Sequence, residues 1–529
     1  MRRASEISAA IILAIALGLS GCSRSAHETS GSTADRSEGP KLGTGGAGLL
    51  FRDAGAAPGY TLIAPTTSAN VYLIDLQGRV VRLWKTGFEN TSCTATYLLE
   101  NGHLLRLGLV EESQRHFGSR VGAGGRVQEF SWEGELVWDF TLCNDKQLSH
   151  HDLERLPNGN VLLVVWDRKT APQAIAAGRA PEALGNRDLL SDSVVEVKPT
   201  GKTTGEIVWE WHIWDHLIQD HDSSQANFGD VEAHPELIDM NYRSVSLLAP
   251  MLASRAGVDK LKSVGYLGSS AAADQAQFAA CDWHVNSVAY QAEFDQILLS
   301  AKGCSEIWVI DHGTTSAEAR SHAGGRRGKG GDLLYRWGNP RAYRAGMAAD
   351  QQLFGQHDAQ WVSRGPTGEV SVLVFNNGDG RPAGDYSSVD ELVLPVDAQG
   401  EYSRQAGTAY GPPAPVWSYT SPSKTDFFSL LISGAQRLPK GNTLVCAGMV
   451  STVFEVTPQK ELVWEYANPD PGALGHLGPT PIGASLFAAR RYAPDYPGLA
   501  GKDLTPGKTI EELLAGATLG KGPPHARKR

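Results

Sequence analysis

One short strand recurs six times along this chain: "GRVVRLWKT", "GELVWDF", "GEIVWEW", "GDLLYRWGNP", "PAPVWSY" and "KELVWEYANP", centred on Trp84, Trp138, Trp209, Trp337, Trp417 and Trp464. Each copy is apolar, β-branched or aromatic, and begins after a turn residue. Preceding strands that end in turns, as in "VYLIDLQGR", "VVEVKPTGK" and "VFEVTPQKE", and a second frame, "YLLENGHLLRL", "ERLPNGNVLLVV" and "QRLPKGNTLVC", make every unit a small antiparallel sheet. Irregular repeats of about 40 to 50 residues with several strands each are the signature of a β-propeller. Six tryptophan strands predict six blades, as against a stack of sandwiches. Ring closure requires "GYTLIAP" or "VYLIDL" to pair with the last strands, because an open edge is a liability. The fold class is therefore all-β, a six-bladed propeller with an inserted cap segment and a short C-terminal tail.

The rest of the chain divides around that ring. "MRRASEISAAIILAIALGLSGC" has two arginines, an apolar run and small residues, the layout of a secretory signal. Leu19-Ser20-Gly21-Cys22 resembles the bacterial lipobox, so residues 1–22 read as a lipoprotein-type signal peptide with lipidation at Cys22. The expected location is periplasmic or cell-envelope, with membrane contact through that anchor only. Residues 23–58 are Ser, Gly and charge, a disordered linker, and 59–495 are the propeller. About 211–280 form an insertion too long for a blade connection, expected as a cap or lid, and 496–529 a surface tail. The histidines of the insertion, His212, His216, His221 and His234, are expected at the surface. A net charge of −10 argues against a nucleic-acid partner, whose phosphates require clustered Lys and Arg. Without Cys22, five cysteines remain, so at least one thiol is unpaired within the monomer.

Three stretches place a histidine where a strand begins: "SHHDLERLPNGNVLLVV" (His150, His151), "DWHVNSVAY" (His284, with Asn286 two residues on) and "LFGQHDAQWV" (His357). Superposing the Leu-x-x-Gly turns sets His151 against Thr94 and Ser433, so the repeat itself does not require histidine there. The innermost strands of a propeller start around one end of a central channel, so the three rings are expected to converge at one repeat position. Convergent imidazoles suit a metal or chemistry on an anion. Lys302, in "ILLSAKGCSEIWVID", favours the anion, since a lysine repels a cation and holds sulfate or phosphate oxygens.

"GYTLIAP", "YLIDLQGRVV", "HHDLERLPNGNVLL", "HVNSVAY…DQILLSAKGCSEIWVIDH", "GQHDAQWV" and "FNNG" together resemble the bacterial aryl-sulfate sulfotransferase family over roughly residues 59 to 490. The resemblance implies sulfuryl transfer from a phenolic sulfate ester to a phenol, both small molecules, through a sulfohistidine and without a nucleotide donor, cofactor or metal. It implies His357 as nucleophile, His284 and His151 as catalytic groups that bind sulfuryl oxygens and protonate the leaving phenolate, and Asn286, Lys302 and His150 as substrate-binding residues. Lys302 stands where the family has arginine, a point charge in place of a planar fork. The role of Asp358 stays open. The N-terminal sandwich domain of some relatives is not expected before Gly59. The rival readings are a non-catalytic binding propeller and a metal-dependent hydrolase using the same histidines.

Overall fold

A computed structural model describes residues 46–519 except 88–93, 119–121, 185–186, 245–253, 264–282, 363–367 and 473–483. The signal peptide, Cys22, Cys93 and Cys281 lie outside the described residues. Six antiparallel sheets follow one another along the chain. Blade 1 runs outward from Arg490–Tyr492 through Tyr60–Ile63 and Asn70–Ile74 to Val80–Lys85. The innermost strands of blades 2 to 6 are Thr96–Leu98, Gln147–Arg155, Val285–Gln291, His357–Val362 and Gly434–Arg437. The ring closes as expected, with Tyr60, Thr61 and Leu62 pairing Tyr492, Arg491 and Arg490.

All six repeat tryptophans lie in the fourth strand of a blade, counted from the centre, the strands expected to carry one motif: Val80–Lys85, Leu136–Thr141, Thr204–His212, Tyr335–Trp337, Trp417–Tyr419 and Leu462–Ala467. Each indole Nε1 donates to the next blade, at the connection between its third and fourth strands or where the fourth begins. The acceptors are Ser131 O for Trp84 (3.0 Å), Thr204 O for Trp138 (3.2 Å) and Thr314 Oγ1 for Trp209 (3.1 Å). Trp337 donates to Pro412 O (2.8 Å), Trp417 to Pro458 O (3.0 Å), and Trp464 closes the circuit on Leu76 O of blade 1 (3.0 Å). A buried indole needs a partner for its N–H while its rings fill the gap between sheets, so one residue type does both jobs at every interface.

The core follows the same logic, as a series of apolar layers between adjacent blades. Leu105, Leu107 and Val127 of blade 2 meet Leu153, Leu163, Val165 and Val195 of blade 3; Leu373, Phe375 and Val389 of blade 5 meet Val445, Phe454 and Val456 of blade 6. Middle strands such as Ser371–Asn376 are buried on both faces and read as continuous apolar runs.

The tail runs over blades 1 and 6 as far as the helix Ile510–Leu519: Val80 N donates to Lys508 O, and Ile510 is buried beside Ile74 and Tyr466. Two sequence expectations need correction. The stretch 23–58 is not linker throughout, because Gly48–Arg52 adds a fifth strand to blade 6 against Leu462–Ala467 and covers an edge that would otherwise be open. Two insertion histidines are not on the surface. His216 is wholly buried and His212 is half-buried with Nδ1 2.6 Å from Asp167, while His221 and His234 are exposed.

The described part of the insertion packs along blades 3 and 4. Leu217–Ile218 and Ile238–Asp239 form a short parallel pair, Ile213, Leu217, Ile238 and Met240 join the layer between those blades, and Ser244 N donates to Gly303 O, one residue from Lys302.

The tryptophan circuit gives a graded expectation. Trp464→Ala removes a fully buried indole and should cost about 3–5 kcal/mol, read as a fall in the denaturant midpoint. Trp417→Ala, whose ring is half-buried, should cost clearly less.

Candidate active site

The innermost strands of blades 3, 4 and 5 each break register. His150, His151 and Asp152 lie opposite Val164 alone, between the Val165–Ser149 and Leu163–Leu153 pairs. Asn286 and Ser287 bulge between the Val285–Ala301 and Val288–Leu299 pairs, and Asp358 and Ala359 between the His357–Phe375 and Gln360–Leu373 pairs. Left-handed backbone marks the breaks: φ is 54° at His151, 49° at His284 and 55° at Asp358, a conformation uncommon outside glycine. A bulge re-aims side chains and ends pairing.

The bulges also latch each blade to the next. Val288 N of blade 4 donates to Asp152 Oδ2 of blade 3 (3.0 Å), Ala359 N of blade 5 to Ser287 Oγ of blade 4 (3.0 Å), and Ala435 N of blade 6 to Asp358 Oδ2 of blade 5 (2.9 Å). Asp358 in addition takes both guanidinium nitrogens of Arg490, on the innermost strand of blade 1. Asp152 and Asp358, each following one of the three histidines in sequence, are thus structural latches.

The histidines do come together. His151 and His284 have ring centroids 4.6 Å apart, and the electrostatics of both rings include His357 and Lys302. They do not share one repeat position: counted back from the residue where pairing resumes, His151 is two before Leu153, His284 four before Val288 and His357 three before Gln360.

His357 Nδ1 lies 2.8 Å from Asn377 Oδ1. The amide is oriented by its own Nδ2, which donates to the carbonyls of Ser429 and Ile432, so its oxygen faces the ring and can only accept. Nδ1 therefore carries the hydrogen and the lone pair of the neutral ring resides on Nε2. Burial first, and then the charge of Lys302, push this imidazole down to about 3. Burial and neighbouring rings likewise hold His151 and His284 well below the usual range.

Lys302 opens the turn Lys302–Cys304. Its Nζ is 3.1 Å from Asp379 Oδ2, and the backbone N–H groups of Lys302 and Gly303 donate to the carbonyls of His284 and Trp283, so one turn fixes both the cation and a histidine. Asn286 is buried, with Nδ2 donating to Gln356 O (2.9 Å) next to His357; its Oδ1 and His284 Nε2 are buried without a partner.

His150, expected among the substrate-binding groups, packs beside His151. It is fully buried, stacked on Trp166 at 4.1 Å, with Nδ1 2.7 Å from His151 Nδ1 and Nε2 3.1 Å from Asp192 Oδ1. It stands behind His151 and fixes that ring. Asn377, Asp379, Asp192 and Trp166 were not singled out from the sequence; "FNNGDG" held the only signal for the first two, and that signal lay in the motif rather than in spacing.

Residues 52–470 match the family model described as Arylsulfotransferase (ASST). The chain belongs to the arylsulfotransferase family. That membership makes it a sulfotransferase acting on small molecules. Nothing among curated proteins matches the chain. Among solved structures, a protein of unknown function from Bacteroides caccae is 9% identical over 82% of this chain and 99% of its own, with a TM-score of 0.40. A virginiamycin B lyase from Staphylococcus aureus is 9% identical over 82% of this chain and 87% of its own, with a TM-score of 0.31. Likenesses this distant carry no functional argument for the arylsulfotransferase.

The depressed histidines fix the sign of an acid effect. A ring kept neutral in the fold takes a proton in the unfolded chain below about pH 6.5, so stability is complete above that value. It falls as pH drops, by up to about 1.4 kcal/mol per unit per histidine. Asp152, pushed up to about 7 mainly by burial, works in the opposite direction, so the informative quantity is a difference. Between pH 7 and 5 the denaturant midpoint of His284→Gln should decline less steeply than that of the parent protein.

Proposed function

We propose that this arylsulfotransferase moves a sulfuryl group from a phenolic sulfate ester to a phenol through a sulfohistidine on His357. The observation that carries the proposal is the His357–Asn377 hydrogen bond, which leaves a neutral ring with its lone pair on Nε2, the form a nucleophile needs. In the first half-reaction Nε2 attacks sulfur, the N–S bond forms, the S–O(aryl) bond breaks and its electron pair leaves on the phenolate oxygen. Binding of the anionic ester draws one proton onto the His151 and His284 pair, and donation of that proton to the departing phenolate yields the free phenol and leaves both rings neutral. The N-sulfo ring is cationic before loss of its sulfuryl group, and Asn377 Oδ1, accepting from Nδ1–H, offsets that charge. In the second half an acceptor phenol gives its proton back to the same pair, its oxygen forms the new S–O bond, and the N–S pair returns to Nε2.

Charge on the sulfuryl oxygens must be balanced throughout, because a loose transition state spreads it there. Lys302 supplies the fixed cation, and the unpartnered His284 Nε2 and Asn286 Oδ1 are polar atoms that a bound substrate or its proton would satisfy. The clustering of Lys302 with three imidazoles favours an anion over a metal cation. We further propose that the protein is exported and held at the membrane by a lipid on Cys22, with no nucleic-acid partner, in keeping with the lipobox-like sequence and the net charge of −10.

Intact-mass spectrometry without acid quenching, after mixing with an activated phenyl sulfate, should show one sulfuryl mass gain that added phenol discharges. His357→Ala should show none. A parent protein that stays unmodified while releasing phenol would sink the covalent route, and one that does neither across several donors would sink the enzymatic reading.

Lys302 is tested separately. Lys302→Ala should lower kcat by about 10²- to 10³-fold, the usual loss when one charge-balancing donor is removed, whereas Lys302→Arg should recover most of it. Equal losses in both variants would assign the lysine to packing against Asp379.

A further inference from the structure

Away from the channel, where the insertion meets the connection between the third and fourth strands of blade 4, two histidines and a carboxylate converge. His216 Nδ1 is 2.8 Å from Asp332 Oδ1, and His322 Nδ1 is 2.7 Å from that same oxygen. Ligand atoms from these three residues lie within 4.8 Å of one another.

The tautomer of His216 is set from behind. Its Nε2 is 2.8 Å from the carbonyl of Ala319, which can only accept, so Nε2 carries a hydrogen. In the neutral ring the lone pair then sits on Nδ1 and faces the carboxylate oxygen, an acceptor against an acceptor, with the second imidazole nitrogen directed at the same point. A histidine that donates one nitrogen to a backbone carbonyl and presents the other to an ion is the usual arrangement of a metal ligand.

The ring is also held ready. Trp211 stacks on it with an interplanar angle of 9° and donates Nε1–H to Gly331 O (2.7 Å), and His216 itself has no solvent exposure. Solvent reaches the cluster from the other side: the His322 side chain is 59% exposed, and a cavity of about 490 Å³ lined in part by Trp214, Asp215, His234 and His322 opens there, giving an ion a route in and water to complete its shell.

We propose that His216, His322 and Asp332 form a binding site for a divalent transition metal of the zinc type, which clamps the base of the insertion to blade 4. Two imidazole nitrogens and one carboxylate oxygen are a donor set such ions take. Metal–ligand distances of about 2.0–2.1 Å set tetrahedral ligand atoms about 3.4 Å apart, so Asp332 has to draw back from the fixed His216, and the exposed His322 from Asp332, each by a fraction of an ångström. The site is independent of the sulfuryl-transfer reading.

The test uses the untagged full chain and zinc chloride alone, followed by calorimetry, with cobalt(II) absorption as a second readout of nitrogen ligation. One equivalent should bind, with a thermal midpoint raised by at least about 2 °C at saturation. Both effects should weaken at least 10-fold in affinity in His322→Ala and in Asp332→Asn; His322, being exposed, can be removed without loss of the fold. Absence of binding to the parent protein would overturn the proposal and leave the cluster as an ion pair whose protons lie between ring and carboxylate. Unchanged binding in His322→Ala would overturn it as well, and would send the metal to the histidines of the channel.

Discussion

The indole hydrogen bond from each blade to the next is the interaction on which the rest of this molecule depends. A four-stranded sheet with two apolar faces cannot exist alone in water, and a propeller solves this by burying every face against a neighbour. Stacking by itself fixes neither the angle nor the height of one blade on another. Six indoles, each reaching the same region of the following blade, fix both, and the last bond from Trp464 to Leu76 makes the series circular. A net hydrogen bond contributes only about 0.5–1.5 kcal/mol, but the bulk of each ring adds the apolar burial that makes the position intolerant of smaller residues.

At the inner radius the same task falls to Asp152, Ser287 and Asp358, whose oxygens accept from innermost-strand amides of the following blade. These latches exist because the innermost strands bulge, and the bulges are also what release His151, Asn286 and His357 from ordinary strand geometry. The site is therefore a by-product of how the inner strands are joined. Where the latch is an aspartate, its neighbour in sequence is a channel histidine, which is why the chain carries ionisable pairs at the start of otherwise apolar strands.

That explains what the sequence could and could not disclose. The outer ring was legible because the same side chain performs the same contact six times, and a repeated constraint leaves a repeated residue. The convergence of His151, His284 and His357 was legible because inner strands begin at one end of the channel whatever their register. Their registers were not legible: a bulge adds residues to one strand only, so equal spacing from a turn does not mean equal position. Asn377 was missed because its contribution is an oriented amide, fixed by the carbonyls of Ser429 and Ile432 some fifty residues further along. Its local motif, "FNNG", does not disclose that orientation.

Burial gives the site its chemical character and also its cost. Three imidazoles and an ammonium in one desolvated cluster would repel if all were charged, and the rings answer by remaining neutral. The single charge retained, on Lys302, is matched by Asp379 and so does not leave the pocket with an uncompensated ion. On the proposed sulfuryl-transfer route, an arriving sulfate ester would bring a negative charge to a lysine that already has a carboxylate partner, and Asp379 would then limit how strongly the sulfuryl group is held in the ground state. Lysine, with rotatable donors on a flexible stem, can turn from its carboxylate toward the developing charge, so the ion pair moderates binding without removing the cation that the transition state requires.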